Sequence, residues 1–259
     1  MTALAGSWSR SRLLLAAVFA LSGTGALVYE TVWVRQLSLV FGSTTLAVTT
    51  IVTVFMAGLS LGAALAGPRA DRVRHPGRVY ALLEVGVAAC ALALPFVLAA
   101  LSQTWHRVVP AEGLPLVSVL LLRFAAGCVL LLLPTALMGA TLPFLARQFV
   151  RADADIGPDL GWLYGLNTLG GAVGAWIAGT RLLSIIGTQA TTLVGVALSG
   201  AAALLAVLAS RAPVAGGGQG STAGRAAASP PLAHRVLFPV AFGSGLTFLA
   251  AEVIWVRLL

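Results

Sequence analysis

Hydrophobic residues in this chain fall into long, nearly unbroken runs and not into a short alternation with polar ones. Seven runs stand out: Leu13 to Val34, Leu46 to Ala66, Val79 to Leu101, Leu116 to Met138, Leu160 to Leu182, Thr191 to Leu208, and Val236 onward. A helix needs about 20 apolar residues to cross a hydrocarbon core about 30 Å thick, and each run is close to that length. Polar and charged residues sit mostly between the runs. Because a backbone in lipid must satisfy its own hydrogen bonds, the pattern predicts an all-α, polytopic membrane bundle.

Composition strengthens this reading. The chain is 59% hydrophobic and 9% charged over 259 residues, whereas soluble domains carry about 25% charged residues. There is too little charge here to cover a water-facing surface, so lipid covers part of it.

The net charge of +8 comes from 16 basic residues, all of them arginine. Sorted by loops that alternate sides, Arg10, Arg12, Arg69, Arg72, Arg74, Arg78, Arg147, Arg151, Arg211, Arg225 and Arg235 share one face. Only Arg35, Arg107 and Arg181 fall on the other, while Arg123 and Arg257 lie within runs. Positive charge collects on the cytoplasmic side. The asymmetry therefore predicts a cytoplasmic N-terminus and a topology signal, not a nucleic-acid footprint. Cys90 and Cys128 each lie mid-run. Their spacing makes no metal site, and both read as small packing residues.

Arg10 and Arg12 before Leu13–Leu21 imitate a signal peptide, but a repeat argues against cleavage. The segment from Ser22 to Leu37 and that from Ser244 to Leu259 agree at eight of sixteen positions, among them Glu30/Glu252, Trp33/Trp255 and Arg35/Arg257. A chain that starts the same helix again after six others reads as two parallel repeats. The expected domains are a six-helix membrane repeat over 1–210, a flexible cytoplasmic linker over 211–234, and the first helix of a second repeat over 235–259. The linker is rich in Gly, Ser and Ala and cannot pack a core. Five further helices would complete the second repeat, so the sequence reads as a fragment that expects its missing half, or a second copy, as partner.

The segment from Gly58 to Arg78 combines small residues at four-residue spacing (Gly58, Gly62, Ala66), which let helices approach closely, with Gly67, Asp71, Arg72, Arg74 and Arg78. Gly67, Asp71 and Arg72 resemble the loop signature between the second and third helices of the major facilitator superfamily, although His75-Pro76 interrupts its basic tail. The resemblance implies that Asp71 braces helix ends and gates the cytoplasmic side. The plainer reading is a positive-inside loop with His75 exposed.

A wider set of motifs resembles one bacterial group. It comprises Ala20-Leu-Ser-Gly23, Tyr29-Glu30-x-x-Trp33-x-Arg35, Phe41-Gly-Ser43, Phe55-Met-Ala-Gly58-Leu-Ser-Leu-Gly62, Tyr80-Ala-Leu-Leu-Glu84, Pro134-Thr-Ala-Leu-Met-Gly139-Ala-Thr-Leu-Pro143 and Leu163-Tyr-Gly-Leu-Asn167-Thr-Leu-Gly170. These look like the membrane half of fused transporter–spermidine synthase proteins, in which a Rossmann-type aminopropyltransferase-like domain follows the helices. This sequence carries no strand-associated Gly-x-Gly-x-x-Gly motif. No enzyme activity and no cofactor is expected of it. The resemblance implies a bacterial inner-membrane location and two alternative roles. One is a transporter-like domain for a polyamine or other cationic small molecule. The other is a membrane anchor or regulatory module for an aminopropyltransferase-like partner.

Ionisable residues inside runs are the main site candidates, because a charge in lipid costs at least about 2.5–3.5 kcal/mol. By analogy with major facilitator proteins, whose first, fourth and seventh helices line the cavity, Glu30, Arg123 and Glu252 would surround one polar cavity, with Glu30 and Arg123 paired. Alternatively, Trp33 and Arg35 are boundary anchors and Glu30 snorkels. Glu84 is expected to pair with the basic loop. Asn167 and Thr168 serve either interhelical packing or substrate. Gly161, Gly165, Gly170, Gly171, Gly174 and Gly179 mark a close helix contact, and Pro134 and Pro143 are expected to bend or end the fourth helix. Asp153, Asp155 and Asp159 lack the ligand order of an EF-hand, and helix N-terminal charge accounts for them.

Overall fold

The computed structural model describes residues 10–42, 45–108, 115–149 and 156–211, with isolated positions 239, 243 and 247. The chain divides into a unit Met1–Ala212 and a unit Pro213–Leu259. The expected linker and restarted helix, Glu252 included, lie almost wholly outside the described residues, as do Asp153 and Asp155.

The first unit is helical throughout its described residues: α1 (Arg10–Phe41), α2 (Thr45–Ala70), α3 (Pro76–Val108), α4 (Leu116–Phe149), α5 (Ile156–Ile177), a π-helical turn Ala178–Leu182, the short α6 (Leu183–Ile185) and α7 (Gly187–Arg211). Five stretches are long and apolar enough to cross a membrane: Leu13–Phe41, Val48–Ala70, Pro76–Leu101, Leu116–Gln148 and Gly187–Ser210. This is a multi-pass membrane protein by length and composition. The run read as a fifth span, α5, is not among these five stretches.

Helix ends follow local chemistry. Gly42, at φ +94°, takes the left-handed conformation that lets its N–H reach Ser38 O at 2.9 Å and close α1. Gly187, at φ +74°, is likewise left-handed between α6 and α7, just after Ile186, whose N–H reaches Leu182 O at 2.9 Å. Pro68, Pro95, Pro134 and Pro143 all lie inside helices. Pro134 and Pro143 therefore do not end the fourth helix. A free backbone end in lipid costs more than a proline inside a helix. Thr135 donates to Leu131 O and Thr141 to Met138 O, each at 2.6 Å.

The helices pack in the lateral order α5, α1, α7, α3, α4, α2. Two apolar cores are stacked along the bundle. One gathers Tyr29, Trp33, Leu37 and Phe41 of α1 with Phe55, Val87, Leu94 and Leu131. The other, nearer the N-terminal end of α1, gathers Val18, Phe19, Ala70, Tyr80, Phe144, Leu163 and Ala206.

The α2–α4 and α1–α5 seams are built alike. A side chain at Gly62 would strike Ala136 O, and one at Gly170 would strike Ala20 O. Likewise Gly139 meets Leu59 O and Gly23 meets Asn167 O. A shift of 108 residues carries Gly62 to Gly170 and Leu59 to Asn167, and a shift of 116 carries Ala20 to Ala136 and Gly23 to Gly139. Even the local hydroxyl bonds repeat: Ser60 donates to Met56 O and Thr168 to Tyr164 O, at 2.9 Å in both. The same backbone-to-backbone contact thus occurs twice, made by different helices.

Candidate functional site

A polar layer separates the two apolar cores, and Glu84 is its centre. On α3 the buried residues Tyr80, Glu84, Val87, Ala91 and Leu94 recur every three or four positions, so one helical face carries the carboxylate inward. Glu84 is only 4% exposed. Ser22 of α1 donates its hydroxyl to Glu84 Oε1 at 2.7 Å. Ser199 of α7 and Tyr80 lie near this carboxylate, with the Tyr80 hydroxyl buried and making no hydrogen bond of good geometry among the described residues. Tyr29 of α1 reaches Ser199 Oγ in a long 3.5 Å contact.

Glycines allow this convergence. A Cβ at Gly25 would already touch Leu198 Cβ at 3.5 Å, and one at Gly195 would strike the Tyr29 ring. Helices α1 and α7 therefore close tightly around the hydroxyls. Among the described residues, the groups that interact with Glu84 are Ser22, Ser199, Tyr80 and Tyr29, and none is cationic.

This placement differs from the expectation that Glu84 pairs with the basic loop. Arg78 and Glu84 are six residues apart, which at about 100° per residue turns their side chains about 120° from each other. Arg78 is exposed while Glu84 points into the bundle. The surrounding hydroxyls were missed by sequence reading. Their signal was faint: serines and tyrosines at helical spacing within apolar runs.

Glu30 is buried at 7% exposure. Trp33 is not a boundary anchor. It is 1% exposed, stacked on Tyr29 with ring centroids 5.5 Å apart, and tilted against Phe55 at 6.3 Å. Its position on the inward face of the central helix overrides the usual interfacial preference of tryptophan. Arg35 is exposed. Among the described residues no ion pair joins Glu30 to Arg123. The Arg123 guanidinium instead lies beside Gly42, its Nη2 3.8 Å from where a Cβ would stand. Glu30 is twelve residues earlier on α1, about 18 Å along the axis. Arg123 thus faces the C-terminal end of α1, where helix carbonyls favour a cation.

Asn167 donates its Nδ2 hydrogen to Phe19 O at 3.2 Å, and Thr24 donates to Gly170 O at 3.0 Å. Both bonds tie α5 to α1. Asn167 therefore serves the close-packed seam. Gly170 and Gly174 share it, whereas Gly161 and Gly165 meet nothing within 4 Å.

At the turn between α2 and α3, Asp71 Oδ1 lies 3.5 Å from Arg147 Nε of α4, with the two side chains 79% and 53% exposed. The Gly77 N–H donates to Gln148 Oε1 at 3.1 Å. The turn is thus tied to the end of α4. Gly67 lies inside α2, not in the turn, with nothing within 4 Å of its Cβ position. Arg72, Arg74, His75 and Arg78 are exposed. Cys90 and Cys128 are free thiols, partly buried.

No protein-family model, curated protein or solved structure matches this chain.

Proposed function

We propose that the chain is a transporter-type domain of the bacterial inner membrane, its N-terminus cytoplasmic, forming a six-helix major-facilitator-like repeat that leads into a second. The observation that carries this reading is the doubled seam. Gly62 against Ala136 and Gly170 against Ala20 relate helices α1–α3 to the helices that follow them. Short connections make successive helices antiparallel, so a helix and its counterpart three later run in opposite directions. Nested inverted repeats of this kind characterise transporter halves.

The substrate class is a cationic small molecule such as a polyamine. Support comes from the buried Glu30 on the central helix and from its repeat at Glu252. In this reading Glu30 and Arg123 border the substrate path, and the Asp71–Arg147 turn holds the cytoplasmic ends of α2 and α4. The test is uptake of radiolabelled spermidine by vesicles carrying the chain, alone and co-expressed with the second repeat. Glu30→Gln is expected to abolish uptake at unchanged expression. Uptake equal to the unmodified protein would remove Glu30 from the path.

The alternative role, a membrane anchor for an aminopropyltransferase-like partner, rests on the set of motifs that resembles the fused transporter–spermidine synthase proteins, the one from Pro134 to Pro143 among them. It predicts no uptake under either condition, and retention of such a soluble enzyme on vesicles that carry the chain.

A further inference from the structure

The carboxyl group of Glu84 has no part in the substrate path described above, yet it is the most elaborately housed polar group among the described residues. Three observations bear on what it binds. First, it is 4% exposed, with an apolar core on either side along the bundle axis. Second, the titratable groups that face it are Tyr80 of its own helix and Tyr29 of α1, while α1 and α7 otherwise bring only the Ser22 and Ser199 hydroxyls. Helix α4, also packed on α3, brings Leu137 against Gly86, about 200° around the helix from Glu84. Third, Ser22 Oγ and Glu84 Oε1 are 2.7 Å apart, the spacing of a direct O–H···O bond.

A bare carboxylate in such a place is disfavoured, because a buried charge without a counter-ion either finds one or becomes neutral. No arginine or histidine supplies the counter-charge among the described residues. An alkali ion would need a shell of oxygens held apart around it, and the direct Ser22–Glu84 bond leaves no seat between those two. A proton is the cation that fits. It sits on the carboxyl itself, and Tyr or Ser oxygens can accept the resulting O–H.

We propose that Glu84 is a proton-binding site. With α1, α3 and α7 packed together, the carboxyl holds a proton between two apolar layers and releases it only when these helices part enough to admit water. Proton binding is thereby linked to the packing of α1 and α7 on α3. The proposal is independent of which solute, if any, the domain carries.

The test is infrared spectroscopy of the full chain in lipid nanodiscs at neutral pH. The expected result is a carbonyl stretch of a neutral carboxylic acid that shifts in deuterium oxide. Glu84→Gln removes this band completely, and Glu30→Gln leaves it in place. Ser22→Ala retains the band but moves it to higher frequency, because the carbonyl loses a donor. Exchanging choline chloride for sodium chloride at constant pH leaves it unchanged. A band that survives Glu84→Gln overturns the proposal, as does the absence of any neutral-carboxyl band in the unmodified protein. A band that sodium abolishes overturns it in favour of a metal cation. If Glu84→Gln does not accumulate, Ser22→Ala decides, and an unshifted band overturns the assignment.

Discussion

The glycine seams make a quantitative prediction. At Gly62 an added methyl collides with the carbonyl oxygen of Ala136, and at Gly170 with that of Ala20. Backbone cannot swing aside as a side chain can, so the helix pair must separate along its length. A gap of about 0.5–1 Å forfeits a quarter to a half of the attraction at each atomic contact. Overpacking of this kind typically costs about 1–3 kcal/mol. Gly200 is the control: it is exposed on α7 with nothing within 4 Å, so Gly200→Ala carries the change in helix propensity without the collision. For a chain of this size each kcal/mol moves Tm by about 2–4 °C. Gly62→Ala and Gly170→Ala are each expected to melt about 2–12 °C below Gly200→Ala. The melt can be followed with a thiol-reactive dye that reads exposure of the partly buried Cys90 and Cys128. Because the seams are separate, the double variant should show the sum of the two losses to within about 0.5 kcal/mol. Melting of both single variants together with Gly200→Ala would refute the backbone contacts themselves.

Other expectations follow from single contacts. Trp33→Ala removes a fully buried indole from the centre of one core and should cost about 3–5 kcal/mol, read as the largest Tm loss of the set. Asp71→Asn breaks an ion pair that is mostly exposed. It should change stability by no more than about 1 kcal/mol, an effect that shrinks further in high salt. Thr24→Val removes a hydroxyl shared between Ala20 O at 2.7 Å in its own helix and Gly170 O at 3.0 Å and should cost no more than about 0.6 kcal/mol, the average of interhelical hydrogen bonds in membranes. Reporter tags at Arg12 and Ala215 should lie on the same face of the membrane, and a tag at the turn beside His75 should join them. Opposite faces for the first two would undo the arginine-based topology.

The membrane class and the approximate helix positions were legible in the sequence, because apolar run length is set by bilayer thickness and needs no tertiary information. The end of α4 was not. Prolines that break helices in water persist here, with Thr135 and Thr141 hydroxyls bonded to carbonyls one turn back. The seam residues were half legible. Gly58 and Gly62 announced a close approach, but the repeat linking Ser60-Leu-Gly62 to Thr168-Leu-Gly170 spans too few identical residues to separate from chance without the matched contacts. Position along a helix also misled. Trp33 and Arg35 are adjacent to Glu30 in sequence, yet Trp33 turns inward while Arg35 turns outward. Glu84 was read by its nearness to Arg78, when its rotation about the helix axis decides its neighbours. Hydropathy gives depth, and only packing gives azimuth.

The lateral order of the helices has a mechanical corollary. Where backbones touch through glycine, as in α1 with α5 and α2 with α4, two helices behave as one stiff plank, since neither can slide without breaking contacts along the whole seam. Helices α7 and α3 join the planks: α7 packs on α1, α3 packs on α4, and α7 and α3 pack on each other. Bending of this unit therefore concentrates at that junction, and Ser22, Glu84 and Ser199 occupy the crease.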